Sequence, residues 1–190
     1  MELNNKTILF LGSSVTYGSA SNGISFVEIL KEQFNINAVK EAISGTTLVD
    51  LDNSSYIARL KRIDSNLPID LFICQLSTND ATRNLDLNKI KDAIIYILNY
   101  VKESFNCPII FYTGTKYNST KYLEMINMLY ELKKIYSFYI LDLWNDKEML
   151  SISLEKYNEY MSDPIHPNLK GYKEWWTPKF IEFCEMLVKY

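Results

Sequence analysis

The chain has 190 residues, 47% of them hydrophobic and 23% charged, proportions that suit one well-packed globular domain over 1–190. Its net charge of −3 leaves no basic footprint for nucleic acid or an anionic membrane surface. No apolar run approaches the ~18 residues of a membrane span, and the start Met1-Glu2-Leu3-Asn4-Asn5-Lys6 lacks the features of a secretory signal, so the expected compartment is the cytoplasm.

Ile8 to Leu11 is an apolar run without charge, the pattern of a strand buried on both faces. It gives way at Gly12 to Ser13-Ser14-Val15-Thr16-Tyr17-Gly18, a loop of small and hydroxylated residues. In open α/β sheets the carboxyl ends of the strands are where ligands bind, which makes Ser14 a candidate nucleophile. The same loop suits ordinary turn or capping chemistry, or a phosphate cradle. Neither it nor Gly114-Thr115-Lys116 has P-loop spacing.

The spacing of Phe26, Val27, Leu30 and Phe34 predicts a helix over 25–34, ended by Asn35. Residues 36–43 form a weaker strand that closes at Ser44-Gly45-Thr46-Thr47, and 48–63 carry a broken helical pattern. A third strand, 71–76, runs into the polar loop Ser77-Thr78-Asn79-Asp80. A long helix over 87–105 precedes a fourth strand at 108–112, and a helix from Thr120 to about Ile135 precedes a fifth at 138–143. Helical and irregular chain follows to Met161, then the loop Ser162-Asp163-Pro164-Ile165-His166-Pro167-Asn168. A final helix over 178–189 starts at Pro178 and buries Ile181, Phe183, Cys184, Leu187 and Val188. Strands alternating with helices of this length predict an α/β fold, its parallel sheet covered by helices on both faces.

His166 is the only histidine. Asp163 stands three residues before it, and a carboxylate on one ring nitrogen is what a histidine base needs to fix its tautomer. In a parallel sheet a hydroxyl after strand one, a glycine after strand two and an Asn-Asp pair after strand three project from one edge. Together with the Asp-x-x-His loop they supply nucleophile, base, orienter and oxyanion donors, the parts of an acyl transferase or hydrolase.

Gly12-Ser13-Ser14, Gly45, Ser77-Thr78-Asn79-Asp80 and Asp163-Pro164-Ile165-His166 resemble, in order, the four blocks of the SGNH hydrolases, or GDSL esterases. The resemblance implies a three-layer α/β/α sandwich with a five-stranded parallel sheet, flavodoxin-like. It implies Ser14 as nucleophile, His166 as base and Asp163 as its partner. The oxyanion hole would comprise the backbone N–H groups of Ser14 and Gly45 and the side-chain amide of Asn79. Two positions depart from the family pattern: Ser13 replaces the usual Asp before the nucleophile, and Ser77 the usual Gly of the third block. Asp80 is expected to brace its loop.

The expected activity is hydrolysis of a short acyl ester, acetyl first, of a sugar-like or other small soluble alcohol. Lysophospholipase or thioesterase activity is the alternative within the family. A non-catalytic flavodoxin-like module binding phosphate or flavin lies outside it, and a catalytically silent relative, given Ser13 and Ser77, is the third reading. Tyr17, Tyr117 and Trp175 of the Trp175-Trp176 pair are candidate substrate-binding residues, against a purely packing role. One histidine among scattered carboxylates makes no metal site, and no cofactor is expected. The odd set Cys74, Cys107 and Cys184 lacks metal-ligand spacing, and the first two, in apolar runs, read as reduced core residues. The expected partner is a small-molecule ester, without nucleic acid or membrane insertion, and the oligomeric state is open.

Overall fold

The computed structural model describes residues 2–187. Its first strand, β1 (Thr7–Gly12), shows why the chain layers as it does. Ile8 and Phe10 enter one apolar cluster, Leu9 and Leu11 the other, and all four are fully buried. A strand with two apolar faces must be covered twice.

In chain order β1 is followed by α1 (Ser14–Tyr17), α2 (Phe26–Phe34), β2 (Asn37–Ala42), α3 (Tyr56–Leu60) and β3 (Leu71–Gln75). Next come α4 (Thr78–Thr82), α5 (Leu87–Ser104), β4 (Ile109–Tyr112), α6 (Thr120–Lys133) and β5 (Tyr139–Leu141). The remainder is α7 (Lys147–Ser151), α8 (Leu154–Tyr160), α9 (Leu169–Gly171), a π-helical turn (Tyr172–Trp176) and α10 (Thr177–Met186). All strand pairs are parallel, in the order β2-β1-β3-β4-β5. That is the flavodoxin-like doubly wound order. α3, α5 and α6 bury their apolar stripes against one face of the sheet. α2, α7, α8, the π turn and α10 cover the other.

Local chemistry sets the helix ends. Ser25 and Glu28 form a capping box at α2, in which the Ser25 N–H donates to Glu28 Oε2 at 2.8 Å. Asn35 closes that helix in the left-handed region at φ 50°. Asp86 and Ser119 cap α5 and α6.

The polar loops expected after strands one and three begin instead as single helical turns, α1 and α4. A sequence of only four or five residues carries too little periodicity to reveal a turn of helix. The broken pattern of 48–63 contains only the short α3. The final helical run starts nine residues before Pro178, at Leu169, and proceeds through the π turn without a break. The Thr177 N–H reaches back to the Tyr172 carbonyl there. That wide turn comes just ahead of Pro178, which has no N–H to give. Val188 and Lys189, expected in that helix, lie outside the described residues. Among the described residues no helix is long and apolar enough to cross a membrane.

Candidate active site

The carboxyl ends of β1, β2 and β3 lie side by side, since β1 pairs with both neighbours. Gly12 ends β1 where no larger residue fits. A Cβ there would stand 1.7 Å from Thr16 Oγ1 and 2.9 Å from Gln75 Oε1. The crowding comes from a buried brace. Gln75 Oε1 accepts hydrogen bonds from the Ser13 N–H (2.9 Å), the Thr16 N–H (3.3 Å) and the Thr16 hydroxyl (2.9 Å). Thr16 Oγ1 also lies 2.7 Å from the Tyr112 hydroxyl. One amide oxygen at the end of β3 thus fixes the turn that carries Ser14.

Ser14 is the first residue of α1 and is almost fully buried. Its Oγ lies 2.8 Å from His166 Nε2, and His166 Nδ1 lies 2.7 Å from Asp163 Oδ2. With Nδ1–H directed at the carboxylate, the network assigns Nε2 as the acceptor facing the serine. Asp163 and His166 occupy a short turn closed by pairing of Met161 with Pro167 and by the Ser162 N–H to the His166 carbonyl, 2.9 Å. Asp163 Oδ1 accepts from the backbone N–H groups of Ile165 (2.7 Å) and His166 (2.8 Å). Burial acts to raise the Asp163 pKa. The hydrogen bonds from Ile165 and His166 outweigh it and hold the carboxyl below its ordinary range.

Gly45 has φ 80°, a conformation that a side chain would strain although the space around it is open. Its carbonyl accepts from Arg83 Nη2 at 2.9 Å. Asn79 Nδ2 donates to the Thr46 carbonyl at 2.9 Å, which anchors the amide with one of its two hydrogens. Among the described residues the N–H groups of Ser14 and Gly45 have no hydrogen-bond acceptor. All three expected oxyanion donors therefore keep a free hydrogen at the carboxyl edge. The arrangement can activate a hydroxyl and receive a developing negative charge.

Asp80 does brace, and across a longer span than its own loop. It accepts from the Leu48 N–H (2.8 Å) and the Val49 N–H (3.1 Å), thereby joining the end of β3 to the segment after β2. Burial pushes its carboxyl pKa up, and the Ser77 hydroxyl and the two N–H groups offset only part of that.

Two residues of the scaffold escaped the sequence reading. Gln75 lay inside the run 71–76, expected as a strand, with nothing to mark its side chain as a brace. Arg59 sits in α3 three residues after the buried Tyr56, on the inward face, and is itself buried. Its Nη2 donates to the Gly12 carbonyl (2.8 Å) and Thr46 Oγ1 (3.1 Å), its Nε to the Ser54 carbonyl (2.9 Å) and its Nη1 to the Glu41 carbonyl. A single guanidinium ties the Ser14 turn to the Gly45 turn. The available signal was a charged residue in phase with apolar ones.

The aromatic candidates separate. The Tyr17 ring is exposed, with Lys40 5.6 Å from its centroid, and sits beside Gly23 on the β2 side. Tyr117 packs between Tyr122 (5.3 Å) and Trp144 (5.4 Å) and lines a shallow depression without the Ser14, Asp163 or His166 side chains. Trp175 stacks on Tyr160 at 5.6 Å and lines a cavity of about 370 Å³. Trp176 is core, packed edge-on against Tyr112 and Tyr172. Cys74 is buried in the core and Cys107 half-buried beside it. Among the described residues no cluster of His, Cys, Asp and Glu is placed to hold a metal.

The sequence model of the GDSL-like lipase/acylhydrolase family matches residues 10–174. No curated protein matches the chain by sequence. Among solved structures the chain is similar to the psychrotrophic esterase EstA from Pseudoalteromonas sp., at 18% identity and TM-score 0.72 over 98% of this chain and 100% of that one. It is also similar to Axe2, an acetylxylan esterase from Geobacillus stearothermophilus, at 17% identity and TM-score 0.69 over 96% and 95%. A carbohydrate esterase family 3 protein from Talaromyces cellulolyticus aligns at 15% identity and TM-score 0.73 over 97% and 98%. At such identities these likenesses establish the shared fold.

Proposed function

Since this chain belongs to the GDSL-like lipase/acylhydrolase family and is a carboxylic ester hydrolase, we propose that it removes a short acyl group, acetyl first, from a sugar-like or other small alcohol through a Ser14–His166–Asp163 triad. The observation that carries this reading is the unbroken chain of contacts from Ser14 Oγ to His166 Nε2 (2.8 Å) and from Nδ1 to Asp163 (2.7 Å).

His166 takes the Ser14 proton as Oγ adds to the ester carbonyl, and Asp163, held ionised, stabilises the imidazolium. The negative oxygen of the tetrahedral intermediate is received by the Ser14 and Gly45 N–H groups and the Asn79 amide. Collapse returns the proton from Nε2 to the leaving alcohol. Water, deprotonated in turn by His166, then releases the acid from the acyl-enzyme. The short-acyl preference draws on the Axe2 and carbohydrate esterase likenesses.

The test is a fluorophosphonate label followed by mass spectrometry of the adduct. One stoichiometric adduct on Ser14, absent from His166→Ala, is the expected result. An unlabelled wild-type protein at neutral pH would remove the triad from consideration.

A further inference from the structure

Gly45 is the least supported of the three expected oxyanion donors. The Ser14 N–H belongs to a turn held by Gln75, and the Asn79 amide is itself hydrogen-bonded to the Thr46 carbonyl. Ser44 and Gly45 are exposed, and nothing lies within 4 Å of the space that a Gly45 side chain would fill. A glycine at φ 80° with no packing around it has many backbone conformations open to it, of which few aim its N–H at a fixed point. The local turn is closed loosely, by the Thr46 N–H to the Ile43 carbonyl at 3.4 Å. The firm contact on Gly45 comes from Arg83, whose Nη2 donates to the Gly45 carbonyl at 2.9 Å.

The short helix α4 places Arg83 for this contact. Arg83 follows its last residue, and the Arg83 N–H donates to the Asn79 carbonyl at 2.9 Å. Asn79 and Arg83 therefore stand four residues apart on one helical face, and they hold adjacent carbonyls, those of Thr46 and Gly45. Asp80, between them in sequence, takes the N–H groups of Leu48 and Val49. A competing task for Arg83 as a charge partner has little support. It forms no ion pair among the described residues, and the Asp52 carboxyl that feels its charge is held low mainly by Ser54. Arg83 is exposed, so its contact contributes little to folding and much to local orientation. Resting on the oxyanion reading above, we propose that Arg83 is a positioning residue for the oxyanion hole, its guanidinium setting the Gly45 peptide so that the Gly45 N–H and the Asn79 amide meet the same oxygen. A single turn of helix then acts as the jig for both donors.

The test compares Arg83→Ala with Arg62→Ala, since Arg62 Nη1 likewise donates from an exposed position to a loop carbonyl, that of Asn53, at 2.9 Å. With phenyl acetate as substrate, Arg83→Ala is expected to lower kcat and kcat/KM alike by about tenfold, at unchanged Tm, the signature of a contact used only in the transition state. Guanidinium chloride at roughly 50 mM, far below denaturing levels, should restore most of that loss. Arg62→Ala should show neither loss nor recovery. An unchanged kcat, or a loss that guanidinium leaves in place, overturns the proposal. A second readout needs no turnover. Labelling with ¹⁵N-glycine gives six amide signals, and the one missing from Gly45→Ala is that of Gly45. Its order parameter should fall from about 0.85 to below about 0.6 in Arg83→Ala and leave the other five glycines as they were. Undiminished order at Gly45 overturns the proposal whatever the activity. If wild type neither cleaves the ester nor takes up a fluorophosphonate, yet Arg83→Ala releases Gly45, the triad reading fails and the tether stands.

Discussion

Ser14 and His166 meet at 2.8 Å, yet their surroundings share almost nothing. The serine rides on a turn fixed from below by buried polar side chains drawn from three separate elements, Gln75 from β3, Arg59 from α3 and Tyr112 from β4. The histidine rides on a half-exposed turn whose hydrogen bonds are local, from Asp163 to the next residues and from Ser162 to His166. In the proposed mechanism Ser14 and the oxyanion donors have to keep fixed positions against developing charge, which suits a turn held by buried side chains. A histidine proposed as base needs only one orientation of its ring, and a carboxylate three residues away supplies it.

That contrast can be broken from either side. Removing either partner of the contact, as Ser14→Ala or His166→Ala, is expected to lower turnover about 10⁴-fold in ester hydrolysis. Asp163→Asn should cost almost as much, on the order of 10³- to 10⁴-fold, while its unfolding free energy moves by no more than about 1 kcal/mol, because the pair is exposed. The Asp163 carboxyl is held low in the folded protein. Its small stabilisation is therefore present at neutral pH and lost as pH falls through and below the ordinary carboxylate range, and the asparagine variant should lack that acid-side dependence.

On the buried side activity and stability should fall together. Asn79→Ala is expected to reduce kcat about 10²- to 10³-fold and to loosen the Thr46 carbonyl it anchors. Arg59→Met takes its donor from the Ser54 carbonyl and one of two from the Gly12 carbonyl, which keeps the Ile43 N–H, and should cost about 2–4 kcal/mol in urea unfolding. A variant that loses activity with undiminished stability would show that the scaffold is not what holds the serine. The smallest effect belongs to Ser13→Ala. The Ser13 hydroxyl is fully buried and has only the Tyr56 hydroxyl beside it, so its removal should change Tm little. A large loss there would mean that the hydroxyl inherits the bracing role of the family's Asp at this position.

Much of this site could be read in the sequence because strand ends announce themselves. The uncharged run before Gly12 and the run 71–76 place β1 and β3, the weaker 36–43 places β2 to within a residue, and the parallel order then gathers whatever follows them. The Asp163-to-His166 turn was equally legible, being local in sequence. Gln75 and Arg59 were not, for their partners lie up to 62 residues away and nothing near them in the chain marks the contact. Pro178 misled because proline opens helices far more often than it continues them. The aromatic residues divided on their packing, a property of the layers: Trp175 is buried against Tyr157 and Tyr160 and borders a cavity, whereas Tyr117 is half-buried between Tyr122 and Trp144.

The π-helical turn has a consequence for how the sequence can change. Tyr172 sits at its start and donates its hydroxyl to the Val15 carbonyl within the nucleophile turn, 2.7 Å away. Phe180 sits beyond it and stacks flat on Phe26 of α2, centroids 3.9 Å apart. The extra residue in the wide turn sets the rotational phase between these two grips, like a tooth added to a gear. Deleting one residue between Lys173 and Trp176 would restore a regular helix but turn Phe180 by about 100° against Tyr172. Single-residue deletions in this stretch should therefore be tolerated far less than substitutions at its exposed positions.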